Sequence, residues 1–371
     1  MTYSQDELNE LIAGIAGPDR DAMDKAAKRQ AALAKPPGSL GRLEELSIQM
    51  AGITGHVCNR TSRKALLVFC ADNGVVKEGV AGTPQSVTLA QTLNLAHGKT
   101  GASVLARQFG CEVRVCDVGV NAAIDDPAVI PRKIAFGTNN IAVGPAMTRA
   151  QALRAVLTGA ALAGETAQSG ADMIGVGEMG IGNTTTAAAV LSVLTGVAVK
   201  DVTGRGAGLT DEAYSKKIAV IEQAIRVNAP DASDVLDVLS KVGGFDIAAM
   251  CGAFLGAAKA RVPVVIDGFI SAVAALCAVR LCENVRKHLI PSHSSFEKGA
   301  RIVTQALGMK PLFDLQMRLG EGSGCPLAMM LLDAAGAVMN DMATFREAAI
   351  DDGYLEPLRK IDAFSTAEEE Q

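Results

Sequence analysis

Gly175-Val-Gly-Glu-Met-Gly-Ile-Gly-Asn-Thr-Thr-Thr186 follows an apolar run, Asp172-Met-Ile-Gly-Val176, and leads into Ala187-Ala-Ala-Val-Leu-Ser-Val-Leu194. The first run reads as a buried strand and the last as a helix, which makes the glycine-rich middle a strand-to-helix turn. Its glycines let the backbone turn tightly and approach a ligand without Cβ interference. The start of the following helix directs free N–H groups and a positive dipole end at that ligand. Asn183, Thr184, Thr185 and Thr186 add side-chain donors at the same point. An acidic chain can hold a phosphate this way without a basic cluster. Glu178 stands inside the loop, where an anion cradle would not want a carboxylate unless it served another purpose.

On either side of this turn the chain alternates strand and helix. Ala65-Leu-Leu-Val-Phe-Cys70 and Glu112-Val-Arg-Val-Cys-Asp-Val118 read as strands, and Val262-Pro-Val-Val-Ile266 as a buried strand between helices. Ser86 to His97 and Thr148 to Ser169 read as helices. This rhythm predicts an α/β fold with a Rossmann-like, mostly parallel sheet covered by helices. Residues 1–54 read as helices, with Ser4 at an N-cap and Leu8, Leu11, Ile12 and Ile15 at helical spacing. Helix returns after 320, and Glu368-Glu-Glu-Gln371 reads as a frayed end. A small helical domain built from both termini is expected, with residues 1–60 and 341–371 flanking an α/β domain at 61–340. In such sheets ligands bind where loops leave the carboxyl ends of strands. The loops Ala71–Gly79, Asp117–Asn121, Gly177–Thr186 and Asp267–Gly268 therefore imply one shared pocket.

Composition narrows the function. Hydrophobic residues make up 49% of the 371, charged residues 20%, and there is no Trp and only three Tyr. Such a chain is well packed and lacks stacking platforms for single-stranded nucleic acid. The net charge of −5 argues against polyanion partners. The eight cysteines form no CxxC and are expected as reduced, buried thiols. His56, His97, His288 and His293 show no ligand spacing, so neither a metal nor a cofactor is expected. The N-terminus has no basic or apolar leader region. The most apolar stretch, 245–282, is interrupted by Lys259, Arg261 and Asp267. A cytoplasmic location with no membrane contact is the expectation.

Several blocks in order carry a resemblance. They are Lys35-Pro-Pro-Gly-Ser-Leu-Gly-Arg-Leu-Glu44, Ala71-Asp-Asn-Gly74, Gly137-Thr-Asn-Asn140, Gly144-Pro-Ala-Met147, Gly177-Glu-Met-Gly-Ile-Gly-Asn-Thr-Thr185, Gly204-Arg-Gly206, Ser292-His-Ser-Ser-Phe-Glu-Lys-Gly299 and Leu319-Gly-Glu-Gly-Ser-Gly324. Together they resemble the nicotinate-nucleotide:5,6-dimethylbenzimidazole phosphoribosyltransferases. The resemblance implies a homodimer whose substrates are nicotinate mononucleotide and a benzimidazole-type base. The 5-phosphoribosyl group passes to a benzimidazole nitrogen with inversion at the anomeric carbon, giving nicotinate and α-ribazole 5′-phosphate for the lower ligand of cobalamin. One departure is visible: Asn73 stands where the family commonly has His, and it cannot titrate near neutral pH.

The chemistry needs a base, because attack by one ring nitrogen acidifies the proton on the other. Glu321, framed by glycines before a helix read from Pro326 to Met339, matches the family's proton acceptor; on spacing alone it could equally cap that helix. Glu178 matches the family's second pocket glutamate, the alternative being a solvated loop acid. By resemblance Thr83, Gln91, Met179 and Leu319 face the acceptor base, although surface or core roles would also explain them. Gly180, Gly182, Asn183 and Thr184 form the phosphate cradle, with Arg205 and Lys216 as counter-charges. Ser292 and Ser295 resemble another part of the nucleotide site, and Asp72 suits either a ribose hydroxyl or a structural role. Two other readings stay open: a relative acting on a purine or phenol, and a dinucleotide-dependent oxidoreductase. Against the second, Gly177-x-x-Gly-x-Gly182 lacks the usual fingerprint spacing.

Overall fold

The computed structural model describes residues 3–360, so the expected frayed end at 368–371 and part of the expected 341–371 segment lie outside the described residues. The chain divides into two units, one of residues 1–16 and 63–329, the other of 17–62 and 330–371.

The larger unit begins with α1 (Gln5–Ala13), where Ser4 and Glu7 form a reciprocal capping box. The smaller unit supplies α2 (Arg20–Ala32) and α3 (Arg42–Thr54). The larger unit resumes with β1 (Lys64–Ala71), α4 (Val87–Ala96), α5 (Gly101–Gln108), β2 (Cys111–Gly119) and β3 (Val129–Pro131). After them come α6 (Arg149–Gln168), β4 (Met173–Met179), α7 (Asn183–Thr195), α8 (Val199–Val202), α9 (Asp211–Asn228), α10 (Val235–Val242) and α11 (Phe245–Lys259). The remaining elements are β5 (Val264–Ile266), α12 (Phe269–Leu281), β6 (Leu289–Pro291), α13 (Ala300–Leu307), α14 (Gly324–Asp341) and α15 (Glu356–Lys360).

The six strands form one parallel sheet in the order β3-β2-β1-β4-β5-β6. The direction of winding reverses between β1 and β4, which makes the crevice beyond their carboxyl ends the expected ligand site. β1 and β4 are buried along almost their whole length, as strands covered on both faces must be. β3 and β6 have three residues each and both end on a proline, which cannot donate to a ladder.

Helix-on-helix contact is as close as helix-on-sheet. A Cβ on Gly252 would lie 1.7 Å from the Val156 carbonyl oxygen, one on Gly159 1.8 Å from that of Ala249, and one on Gly256 2.3 Å from that of Ala160. Glycine at these positions lets the backbones of α6 and α11 touch. Thr148, with Gln151, caps α6.

The division of the chain differs from the expected boundaries at 60 and 340. Leu8, Leu11 and Ile15 are buried in the large core cluster of the α/β unit. Asn284 Nδ2 donates to the Ile15 carbonyl at 2.9 Å, fastening the end of this segment there. In the smaller unit, Lys35 and Glu44 of the Lys35–Glu44 block form a buried ion pair at 2.7 Å, and the Leu40 amide donates to the same carboxylate oxygen at 3.0 Å. Of the eight free cysteines seven are buried; Cys58 is exposed, contrary to expectation.

Candidate active site

A cleft of about 160 Å3 opens at the carboxyl ends of the strands, lined by 80–83, 178–184, 205–207, 209, 217, 267–271, Ser295, Glu297 and 318–320 among others. It continues into a second cleft of about 520 Å3 that shares Arg205, Glu297 and Arg318 with it. Thr83, Glu178, Met179, Gly180, Gly182, Asn183, Thr184, Arg205, Ser295 and Leu319 all line the first cleft.

Glu178 and Met179 are the last residues of β4, not part of the turn. The strand extends through Gly175 and Gly177 because other segments pack there: a Cβ on Gly175 would meet the Cys325 side chain at 2.6 Å and one on Gly177 the Gly322 amide nitrogen at 2.5 Å. The turn itself is Gly180 to Gly182. A Cβ on Gly180 would be 2.1 Å from the Ala71 carbonyl, and Gly182 has a φ of 94°, which starts α7 in the left-handed region. Thr88 of α4 accepts the Ile181 amide at 3.1 Å and holds the turn in place. The first turn of α7 thus borders the cleft through Asn183 and Thr184.

The Asn183 amide group donates to Glu178 Oε2, and at 3.1 Å to Asp246 Oδ2. Asp246 stands in the first turn of α11 and is fully buried. Burial, then the nearby Asp246 charge, pushes the Glu178 carboxyl up to about 8. Burial raises Asp246 to about 6. Burial and Asp246 thus favour the protonated form of Glu178, which can donate a hydrogen bond.

Glu321 is buried but does not line the cleft; it sits behind Leu319 and Gly320. Its Oε1 accepts from Gln91 Nε2 at 3.2 Å and its Oε2 from the Ala102 amide at 3.3 Å, in the first turn of α5. The helix start that receives this carboxylate is thus α5 rather than α14. Gln91, which also does not line the cleft, meets Glu321 instead. Gly320, Glu321 and Gly322 have φ values of 81°, 62° and 84°. A left-handed glutamate between two left-handed glycines is a strained placement, and such strain concentrates at functional positions.

Other expectations are corrected. Lys216 is exposed and outside the cleft, whereas Lys217 is buried and lines it. Lys217 Nζ donates to Thr184 Oγ1 at 2.9 Å and to the Gly204 carbonyl at 3.1 Å. Burial lowers its ammonium to about 8, against the pull of Glu297. The α9 pattern carries the signal, since Lys217 shares helical spacing with the buried Val220, Ile221, Ala224 and Asn228. Ser292 is buried behind the cleft, its hydroxyl donating to the Asp267 carbonyl at 2.9 Å. Arg205 reaches Asp211 and the Leu209 carbonyl and lies over Tyr214. Asp117–Asn121 does not line the cleft, and Asp72 accepts the Asn121 amide at 2.7 Å in a structural role. Asn73 is buried, and Thr186 Oγ1 donates to its Oδ1 at 3.4 Å. Asp267 lines the cleft as its loop led one to expect, whereas Asp246, His293, Glu297 and Arg318 join the site without having been expected there; Asp246 is an acid within an otherwise apolar stretch.

Comparisons with known proteins point to one family. A family model described as "Phosphoribosyltransferase" matches residues 15–350. The nicotinate-nucleotide–dimethylbenzimidazole phosphoribosyltransferase of Clostridium tetani (strain Massachusetts / E88) is 46% identical over 354 residues, 95% of this chain and 98% of its own length. That of Ruminiclostridium cellulolyticum is 50% identical over 344 residues, 93% of this chain and 98% of its own. The crystal structure of CobT from Thermus thermophilus superposes with a TM-score of 0.86 at 40% identity, covering 90% of this chain and all of that one. Matched along nearly its whole length by sequence and by fold, the chain belongs to the nicotinate-nucleotide–dimethylbenzimidazole phosphoribosyltransferase family.

Proposed function

We propose that this chain transfers the 5-phosphoribosyl group of nicotinate mononucleotide to 5,6-dimethylbenzimidazole. The observation that carries the assignment of roles is the pair of buried glutamates, Glu178 at the end of β4 and Glu321 in its strained glycine frame, beside a helix-start anion site. The phosphate is received by the first turn of α7 and by the Lys217 ammonium. A benzimidazole nitrogen attacks C1′, the bond to the pyridinium nitrogen breaks, and its electron pair returns to the nicotinate ring. The proton on the other benzimidazole nitrogen passes to the Glu321 carboxylate and then to solvent. Support for Glu321 as the base is the family resemblance of its glycine-framed position, directly after the cleft-lining Gly320. Glu178, protonated, donates a hydrogen bond inside the cleft. Thr83, Met179 and Leu319 border the slot for the acceptor ring.

The chain acts as a homodimer in the cytoplasm, without nucleic acid. Exposed Phe296 and Leu319 at the clefts favour self-association, and free thiols suit a reducing compartment. The test is incubation with nicotinate mononucleotide and a panel of bases, following nicotinate release by mass spectrometry. Glu321→Gln keeps the fold and loses most turnover. Ribazole phosphate formed by that variant at the parental rate would remove Glu321 from the role of base. Sedimentation tests the dimer.

A further inference from the structure

The loop that carries Glu321 has few anchors of its own, and one side chain supplies two of them. Asp267 follows β5 and is buried. Its Oδ2 accepts the Gly322 amide at 3.0 Å and its Oδ1 the Gly324 amide at 2.7 Å. The carboxylate therefore grips the backbone immediately after Glu321 by two charge-assisted hydrogen bonds. Asp267 is itself fixed to the sheet. Its amide donates to Ser271 Oγ at 3.2 Å, and that hydroxyl donates to the Val176 carbonyl of β4 at 2.8 Å. Its own carbonyl accepts Ser292 Oγ at 2.9 Å, at the end of β6.

We propose that Asp267 is a positioning residue for the transfer reaction, clamping Gly322 and Gly324 so that Glu321 is held in its left-handed conformation with its carboxylate against Gln91 and the start of α5. Asp267 borders the cleft, but each of its two oxygens accepts a hydrogen bond from the loop that carries Glu321. The left-handed run at 320–322 gives the clamp a purpose, since a strained conformation persists only where its surroundings over-determine it. This inference rests on Glu321 being the base.

Asp267→Asn presents an NH2 group to one of the two loop amides, so one arm of the clamp becomes a donor–donor contact. With misplacement on the scale of an ångström, kcat should fall about 10- to 100-fold while KM for nicotinate mononucleotide changes less than about twofold. Amide hydrogen exchange at Gly322 and Gly324 should accelerate. The decisive comparison is the double variant, Asp267→Asn with Glu321→Gln, which should be no slower than Glu321→Gln alone. Losses that multiply, an unchanged kcat in Asp267→Asn, or unchanged exchange at both glycines would each overturn the proposal. A Glu321→Gln enzyme turning over at the parental rate would instead sink the base assignment itself, a distinct outcome. If Asp267→Asn does not fold, Asp267→Glu, which keeps both acceptor oxygens and the charge, is subject to the same three criteria.

Discussion

Titration of Glu178 should be visible in the stability of the whole α/β unit. In the folded chain burial and Asp246 push its carboxyl from about 4.5 to about 8, while in the unfolded chain it has its ordinary value. Between these two values the folded state holds a proton that the unfolded state does not. A raised folded value contributes stability that is complete below about pH 4.5 and is lost as pH rises through 8. The expected slope from this one group is about −1.4 kcal/mol per pH unit. Asp246 is raised to about 6, so it adds a second loss of the same sign at lower pH. The window from about pH 6.5 to about 7.5 lies above the Asp246 value and below that of Glu178, and it isolates the glutamate.

Glu178→Gln keeps the shape of the side chain, its carbonyl oxygen can still accept from Asn183, and it has nothing to titrate. The measurement is urea unfolding of parent and variant at about pH 6.5, 7.0 and 7.5. The difference in unfolding free energy between them should move by about 1.4 kcal/mol across the window in favour of the variant at high pH. Titrating groups remote from Glu178 cancel in that difference, while Asp246, which shares Asn183 with it, does so only in part. Parallel curves would show that Glu178 is already ionised at the acid end of the window, and the neutral-acid role assigned to it would fall.

Lys217→Met should raise KM for nicotinate mononucleotide about 10- to 100-fold, the loss of one charged hydrogen bond to phosphate, while Lys216→Met should stay within about twofold; equal effects in steady-state kinetics would reject the assignment of the inward lysine. Gly252→Ala puts a Cβ 1.7 Å from the Val156 carbonyl and should destabilise the protein by about 3 kcal/mol or more in thermal unfolding; a loss below about 1 kcal/mol would mean that α6 and α11 can separate freely. Thr148→Ala removes the α6 cap and should cost about 1 kcal/mol of stability with kcat and KM unchanged, and a fall in kcat would tie that helix end to the site.

Where the sequence has a strong local rule, the structure follows it. Ser4 and Thr148 are readable as caps because a hydroxyl at the helix start has one obvious partner. β1 is readable as a strand from its long apolar run and β2 from its alternation of apolar and charged residues. β3 and β6, at three residues each, carry no measurable period. β4 reads too short in sequence, ending at Val176, because Gly177 looks like a turn residue. In fact Gly177 makes room for the backbone of Gly322, and only tertiary packing reveals that. The two lysines at 216 and 217 differ by one step around a helix, and the buried stripe of α9 separates them once it is counted. The roles of Asp246 and Asp267 depend on partners 63 and 55 or more positions away, Asn183 for one and Gly322 and Gly324 for the other, beyond the reach of any local pattern.

The same glycines explain why two carboxylates act as one site. Glu178 is fixed by the sheet, and the loop of Glu321 is laid directly on the strand that carries it, over positions 175 and 177 where side chains are missing. The Glu321 amide donates to Glu178 Oε1 at 3.4 Å, and a Cβ on Gly320 would come within 2.6 Å of that same oxygen. Any movement of the loop therefore changes what the Glu178 carboxyl touches, and the protonation state of that carboxyl changes what holds the loop. A left-handed glutamate costs about 1–2 kcal/mol relative to an ordinary conformation. A glycine at 321 would relieve that strain but strand the Gln91 and Ala102 donors, two buried hydrogen bonds at about 1 kcal/mol each. The two terms are of similar size, so stability alone gives no reason for a glutamate at this position. What it adds is a carboxylate on a frame whose other parts are fixed to β4 and β5, which a proton acceptor requires and packing does not.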